Sequence, residues 1–312
     1  MGLRDWLPWV GGRGDDSPEG VSELFDDDFQ RKLDYLALVS RRVFAGQMRA
    51  ERRTKKTGAG VEFADHREYS SGDDLRYLDW HAYGRLDRLL LRLFEEQEDL
   101  SIYFLLDTSA SMGFGHGAKL DYARRVCAAL AYVGLSNLDR VSIVTGSDEL
   151  GAELEPTRNK KRIFRILRFL RGVEPDGETN LEQVARRFVA RHKRRGLVVV
   201  LSDLYDPKGF EAGLNVLRYH KFEPLVIHVV NPADAQPALR GDLRLVDCET
   251  GVEREVTVDD AMLARFAQAH RDFVHAARRF CKRRQIPYVE ASVTVPFEDL
   301  VLTVFRRGGF LR

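Results

Sequence analysis

The sequence predicts an α/β protein built on a doubly wound, mainly parallel sheet, with a helix-plus-strand extension at its N-terminus. Two observations carry the prediction. Short continuous apolar runs, "LSIYFLLD", "RVSIVTG", "GLVVVLSD" and "EPLVIHVV", alternate with amphipathic helical stretches. Such runs lack polar alternation, so they fit strands covered on both faces by helices. The second observation is that two of the runs finish on carboxylates, Asp107 and Asp203. Open parallel sheets hold their ligands outside the carboxyl ends of their strands, where the strand order reverses.

The elements follow in order. Residues 1–20 form a tail ending in the linker "GGRGDDSPEG", and its Arg13-Gly14-Asp15 triplet and Trp6 and Trp9 are read as parts of a disordered segment. Residues 21–98 form an N-terminal segment. It begins with a helix in "DDDFQRKLDYLALVSRRVF", where Phe29, Leu33, Leu36 and Val43 are close to helical spacing and acids precede arginines, as the helix dipole favours. A turn-rich block follows, and "RLLLRLFEE" is read as a strand. From residue 99 to 312 the pattern is regular. "AKLDYARRVCAALAYVGL" places Leu120, Ala123, Cys127, Leu130 and Gly134 on one helical face. "NKKRIFRILRFL", "NLEQVARRFVARH" and "PKGFEAGLNVLRYH" are helices. "LRLVDCETGVEREVTV" alternates about "ETG" and predicts a hairpin near 243–258. A long helix with Phe266, Phe273 and Phe280 facing the core leads into the strand "IPYVEA".

Composition narrows the function classes. Charged residues make up 31% of the 312 and nearly cancel, leaving a formal charge of +1, so no whole-chain attraction to nucleic acid or anionic membrane is expected. Three dispersed cysteines, Cys127, Cys248 and Cys281, give neither a disulfide framework nor a zinc spacing. No apolar run approaches the roughly 20 residues that span a bilayer, and the N-terminus has no secretory pattern. A cytoplasmic location is the expectation.

The chemistry concentrates at the strand ends. "DTSASM" puts Asp107, Ser109 and Ser111 on alternate positions of one loop, "GETN" puts Thr179 before a helix, and "LSD" ends on Asp203. Hydroxyls and carboxylates without His or Cys form a hard-oxygen site suited to Mg2+ or Mn2+. In this arrangement Ser109, Ser111 and Thr179 are neutral ligands and Asp107 and Asp203 supply charge. Few direct carboxylate contacts leave the ion electron-poor and open to a carboxylate from another molecule. His116, in "FGHGAK", is read as a loop residue.

Asp-x-Ser-x-Ser, then Thr, then Asp on later loops resembles the metal-ion-dependent adhesion site of von Willebrand factor A domains, and all five positions match in order. The usual Gly-Gly-Thr is Gly177-Glu178-Thr179 in this chain. Upstream, "GVEFADHREYSSGDDLRYLDWHAYGRLDRLLLRLFEEQ" resembles the signature of the bacterial domain-of-unknown-function family 58 through Arg67, Tyr69, Gly72, Asp73, Asp74, Arg76, Asp79 and Trp80. The two resemblances span roughly residues 60 to 310. They imply a von Willebrand factor A-like, Rossmann-like fold and work beside a MoxR-type AAA+ ATPase in maturing or remodelling protein complexes.

His66, Glu68, Asp73, Asp74, Asp79 and His81 can be drawn as nuclease ligands, but the simpler expectation is an ion-paired clasp. Asp73 and Asp74 would organise a turn and pair with Arg67 or Arg76, while Tyr69 and Trp80 pack; the block can also face a partner. Lys160, Lys161, Arg162, Arg165 and Arg168 form a basic stripe read as a solvated helix face. No aromatic stacking motif joins it, so nucleic acid is not expected.

The function expected is therefore a non-catalytic, Mg2+-dependent protein-interaction module. Its partners would be a MoxR-type ATPase and a client offering an acidic side chain. No Walker A motif is present, so ATP chemistry would belong to the partner. Two alternatives stand beside it. A Mg2+-dependent phosphatase would use Asp107 as nucleophile, although Ser109 stands where a second carboxylate should act as general acid. A structural scaffold would carry a vestigial site.

Overall fold

The computed structural model describes residues 24–51, 53–57, 62–97, 101–114, 118–237 and 239–306. The tail over 1–20, with Trp6, Trp9 and the Arg13-Gly14-Asp15 triplet, lies outside the described residues, as does His116.

Helix α1 (Asp27–Glu51) starts behind Asp26, whose carboxylate accepts the Phe29 N–H at 2.7 Å. Phe25, Phe29, Leu33 and Leu36 recur at helical spacing and are buried. Strands β1 (Arg53–Thr57), β2 (Glu62–Glu68) and β3 (Leu90–Gln97) form a small antiparallel sheet in the order β1-β3-β2, and α2 (Trp80–Leu86) lies between β2 and β3 in sequence. "RLLLRLFEE" is a strand, as expected.

The main sheet begins with β4 (Ser101–Asp107), β5 (Arg140–Gly146), β6 (Leu150–Thr157), β7 (Leu197–Ser202) and β8 (Glu223–Val230). Next come β9 (Gly241–Val246) and β10 (Glu253–Val258), which among the described residues pair only with each other, as the expected hairpin. β11 (Tyr288–Ser292) completes the main sheet in the order β11-β8-β7-β4-β5-β6. Every pair in it is parallel except β5 with β6. The chain winds outward from β4 to β6 on one side and from β7 to β11 on the other. The order therefore reverses between β4 and β7, and the ends of those two strands frame the crevice where such folds hold ligands.

Helices α3 (Ala110–Gly113), α4 (Ala118–Ser136), α5 (Ile163–Arg171), α6 (Leu181–Arg191), α7 (Phe210–Tyr219), α8 (Pro232–Ala235), α9 (Asp260–Arg283) and α10 (Phe297–Arg306) complete the fold. Alternate residues of β4 feed two cores. Ile102, Phe104 and Leu106 pack with Phe29 of α1, Leu130 of α4, Ile166 of α5 and Val301 of α10. Tyr103 and Leu105 pack with Phe188 of α6, Leu214 of α7 and Phe280 of α9. Full burial of one Val, Leu or Phe is worth about 1.5–3 kcal/mol, so strands apolar on both faces anchor the sheet. α1 shares this packing, with Phe29 and Phe297 rings 4.9 Å apart and Lys32 paired to Glu298 at 2.8 Å.

Two expectations about aromatic residues fail. Phe266 is 47% exposed, because α9 buries mainly its C-terminal half through Ala277, Phe280 and Cys281; Phe273 is partly buried against them. Trp80 is 64% exposed and touches Tyr83 edge-on at 6.4 Å. It sits at the first position of α2, on the solvent side of a short helix that buries only Ala82.

Candidate metal centre

β4 ends on Asp107, and the chain turns at once into α3, with Ser109 immediately before it. Asp107 directs this turn. Its Oδ1 accepts the Ser109 N–H at 2.9 Å and its Oδ2 accepts the Ser202 hydroxyl, at the end of β7, at 2.5 Å. The Ser109 and Ser111 hydroxyl oxygens lie 3.0 Å apart, and both residues are buried.

The loop carrying Thr179 is laced through backbone to this one and to the turn after β5. The Asp176 N–H donates to the Thr108 carbonyl at 2.7 Å, the Ala110 N–H to the Gly177 carbonyl at 3.0 Å, and the Asn180 N–H to the Ser147 carbonyl at 2.9 Å. Gly177 has φ +81°, and a Cβ there would come within 2.9 Å of Ser147 Oγ. In Gly177-Glu178-Thr179 the first position thus needs glycine, while Glu178 has no positive φ. Asn180 then caps α6 by accepting the Gln183 N–H at 3.1 Å. Thr179 is held between these bonds, buried, and borders one small cavity with Asp107.

Asp203 follows β7 and is almost fully buried. Its Oδ2 accepts from the Lys119 ammonium at 2.7 Å, and that ammonium also pairs with Asp234 at 3.0 Å. Burial pulls the Lys119 pKa down, but the attraction of Asp203 and Asp234 outweighs it and holds the value above the usual lysine range. The Asp203 backbone carbonyl accepts from His228 Nε2 at 2.9 Å. A carbonyl only accepts, so Nε2 carries the proton and Nδ1 accepts from the Tyr288 hydroxyl at 2.7 Å. Burial pushes His228 down to about 4, and it stays neutral.

All five expected site residues stand at this end of the sheet: Asp107, Ser109 and Ser111 share one bonded turn, the Thr179 loop is tied to it through backbone, and Asp203 follows β7. Burial, and then the neighbouring Asp203 carboxylate, push Asp107 up to about 7. The donor set suits a hard divalent ion. Hydroxyl and carboxylate oxygens are the ligands that Mg2+ and Mn2+ take. Among the described residues no three His, Cys, Asp or Glu side chains cluster for a metal, so this set leans on hydroxyls.

Four further residues complete the site and were not singled out in the sequence. Ser202 and His228 hold Asp107 and Asp203, and Lys119 neutralises Asp203. The fourth is Glu249, in the hairpin turn. Its Oε1 accepts the Thr179 hydroxyl at 2.8 Å and its Oε2 accepts the Thr179 N–H at 3.0 Å. Only Lys119 left a signal. A helix apolar on nearly every side is buried, and a lysine on it needs a partner.

The block around α2 is an exposed lattice of pairs. Arg67 donates to Asp73 at 2.8 Å, Arg76 chelates Asp74 with contacts of 2.6 to 3.1 Å, His66 meets Asp79 at 2.9 Å, and Arg88 pairs with Glu68. Asp79 caps α2 by accepting the His81 and Ala82 N–H groups, each at 3.0 Å. Tyr69 is half-buried and its N–H bonds the Leu89 carbonyl at 2.9 Å.

Fold and site together define a doubly wound α/β protein with a hydroxyl-rich, acidic crevice at its switch point. Residues 65–276 match the family described as "Protein of unknown function DUF58", and the chain belongs to that family. Uncharacterized proteins of Mycobacterium tuberculosis and Mycobacterium bovis are each 28% identical over 236 residues, covering 72% of this chain and 73% of theirs. An uncharacterized protein of Mycobacterium avium is 34% identical over 113 residues, covering 35% and 64%. Among solved structures, the conserved hypothetical protein BatB from Bacteroides thetaiotaomicron aligns at 12% identity over 68% of this chain and 98% of that one, with a TM-score of 0.41. An aerotolerance-related membrane protein from Bacteroides fragilis aligns at 16% identity over 66% and 97%, with a TM-score of 0.42. Alignments this distant define neither activity nor partners for this chain. No described helix is long and apolar enough to cross a membrane.

Proposed function

We propose that this protein is a non-catalytic, Mg2+- or Mn2+-dependent interaction module. Ser109, Ser111 and Thr179 would hold the ion through neutral oxygens, and Asp107 and Asp203 would supply charge. The observation that supports the reading is that the buried Ser109 and Ser111 hydroxyls lie 3.0 Å apart beside buried Asp107, while buried Thr179 borders one cavity with Asp107. The ion, when bound, offers a positive charge with room for one more oxygen ligand. Asp203 would supply charge beside the ion, with the Lys119 ammonium at 2.7 Å on its Oδ2. The docking partner is then a protein with an exposed acidic side chain. The family resemblance of the α2 block and the strand-end loops supports a MoxR-type AAA+ ATPase as the machine it serves, in a cytoplasmic setting.

One observation favours a second reading. Lys119 already places a cation against Asp203, which a metal-free structural scaffold would also need. Affinity capture of the cognate ATPase, with Mg2+ or with chelator, separates the two. Binding that needs Mg2+ and is lost in Thr179→Ala supports the adaptor. Binding indifferent to both changes supports the scaffold.

A further inference from the structure

The hairpin turn brings an acidic side chain of this chain to the candidate metal centre. Glu249 uses both carboxylate oxygens on one residue 70 positions away, Thr179, through its hydroxyl at 2.8 Å and its N–H at 3.0 Å. The Thr179 hydroxyl gives its proton to Glu249, so its lone pairs remain available.

The turn is built to present this residue. Asp247 Oδ1 accepts the Glu249 N–H at 2.9 Å and the Thr250 N–H at 2.8 Å. The Gly251 N–H closes onto the Asp247 carbonyl at 2.9 Å, with Gly251 at φ +69°, where glycine is favoured. None of these bonds involves the crevice, so the turn keeps its shape whether or not Glu249 is engaged.

The rest of the hairpin is lightly held. Among the described residues β9 and β10 pair only with each other, and most of their residues are exposed. Between them and α9 runs a groove of about 390 Å3 bordered by Leu245, Val258, Met262 and Phe266. An element with few buried contacts opens at low free energy compared with the core.

We propose that Glu249 is the protein's own carboxylate ligand for the metal, held by the β9–β10 turn in the coordination position an outside carboxylate would take. The hairpin therefore closes the site, and a partner's acid must displace a tethered competitor present at high effective concentration. This rests on the metal reading above and goes beyond it by naming what covers the site at rest.

The test uses the full chain and Mn2+ as probe, comparing wild type with Glu249→Gln. The variant changes one charge in a solvent-facing turn. Three readouts apply: Mn2+ affinity, water-proton relaxation of the bound ion, and hydrogen exchange across residues 241–258. The expected result is affinity about tenfold weaker in Glu249→Gln, at the low end of what lost coordination-sphere support costs. Each bound Mn2+ in the variant should carry an additional exchanging water, and Mn2+ should slow hairpin exchange in wild type alone. Equal affinity, relaxation and hairpin exchange in the two proteins would overturn the role of Glu249 while leaving the metal site standing. Failure of wild type to bind Mn2+ at all would overturn both.

Discussion

The block between β2 and β3 and the carboxyl ends of β4 and β7 are two acid-rich regions that balance their charge in opposite ways. Around α2 exposed acids sit in water beside their own cations, as Asp73 does with Arg67 and Asp74 with Arg76. At the sheet end, Asp203 and Asp234 share the ammonium of Lys119, while buried Asp107 takes the Ser109 N–H and the Ser202 hydroxyl. Exposed pairs add little to stability because water already solvates both partners. Buried carboxylates must find a cation or take up a proton. The number of acids therefore says less about a site than the shortage of cations around them.

The largest effect should come from Lys119. Removing it in Lys119→Met leaves Asp203 buried without its partner, at a cost of about 3–5 kcal/mol, read from urea unfolding. If a divalent ion shares the crevice, added Mg2+ should recover part of that loss. A loss that Mg2+ does not touch would shift the balance toward the metal-free scaffold.

Gly177→Ala should come next. It forces a side chain into a left-handed conformation against Ser147, for about 1–2 kcal/mol, and disturbs the loop that aims Thr179. Urea unfolding should show that modest loss while Mg2+ affinity falls. Unchanged affinity would mean that Thr179 is not positioned by this loop.

The smallest effect belongs to the α2 block. Backbone N–H groups of α2, and then His66, lower the Asp79 pKa from 3.8 to about 2. A depressed folded-state pKa stabilises the fold above pH 3.8 and loses that contribution as pH falls through about 2. Asp79→Asn keeps a cap but not the titration, so its urea midpoint should vary less with pH across that window than wild type. Identical profiles would remove Asp79 from the clasp.

What the sequence revealed follows the same physics. The central strands were legible because β4 and β7 are apolar at every interior position, a pattern only a two-sided core demands. The five candidate residues stood out because four lie at or just after the ends of β4 and β7, Thr179 precedes α6, and together they match a spaced motif. Edge strand β6 was not, since "LGAELEPT" carries glycine and proline and buries only Leu154 and Thr157. Helix α10 was hidden because "FEDLVLTVFR" is too short for its period to distinguish it from a strand. Glu249 gave no local sign at all. A glutamate in a hairpin turn is ordinary, and only the tertiary fold brings it to Thr179. Trp80 erred the other way, because an aromatic residue suggests packing that a short surface helix does not provide.

The most direct test of the central claim is calorimetric titration of Mg2+ into wild type, Asp107→Ala and Ser109→Ala. One ion per chain should bind wild type, with binding sharply weakened in both variants. No binding to wild type, or equal binding to all three, would contradict a metal held by these side chains.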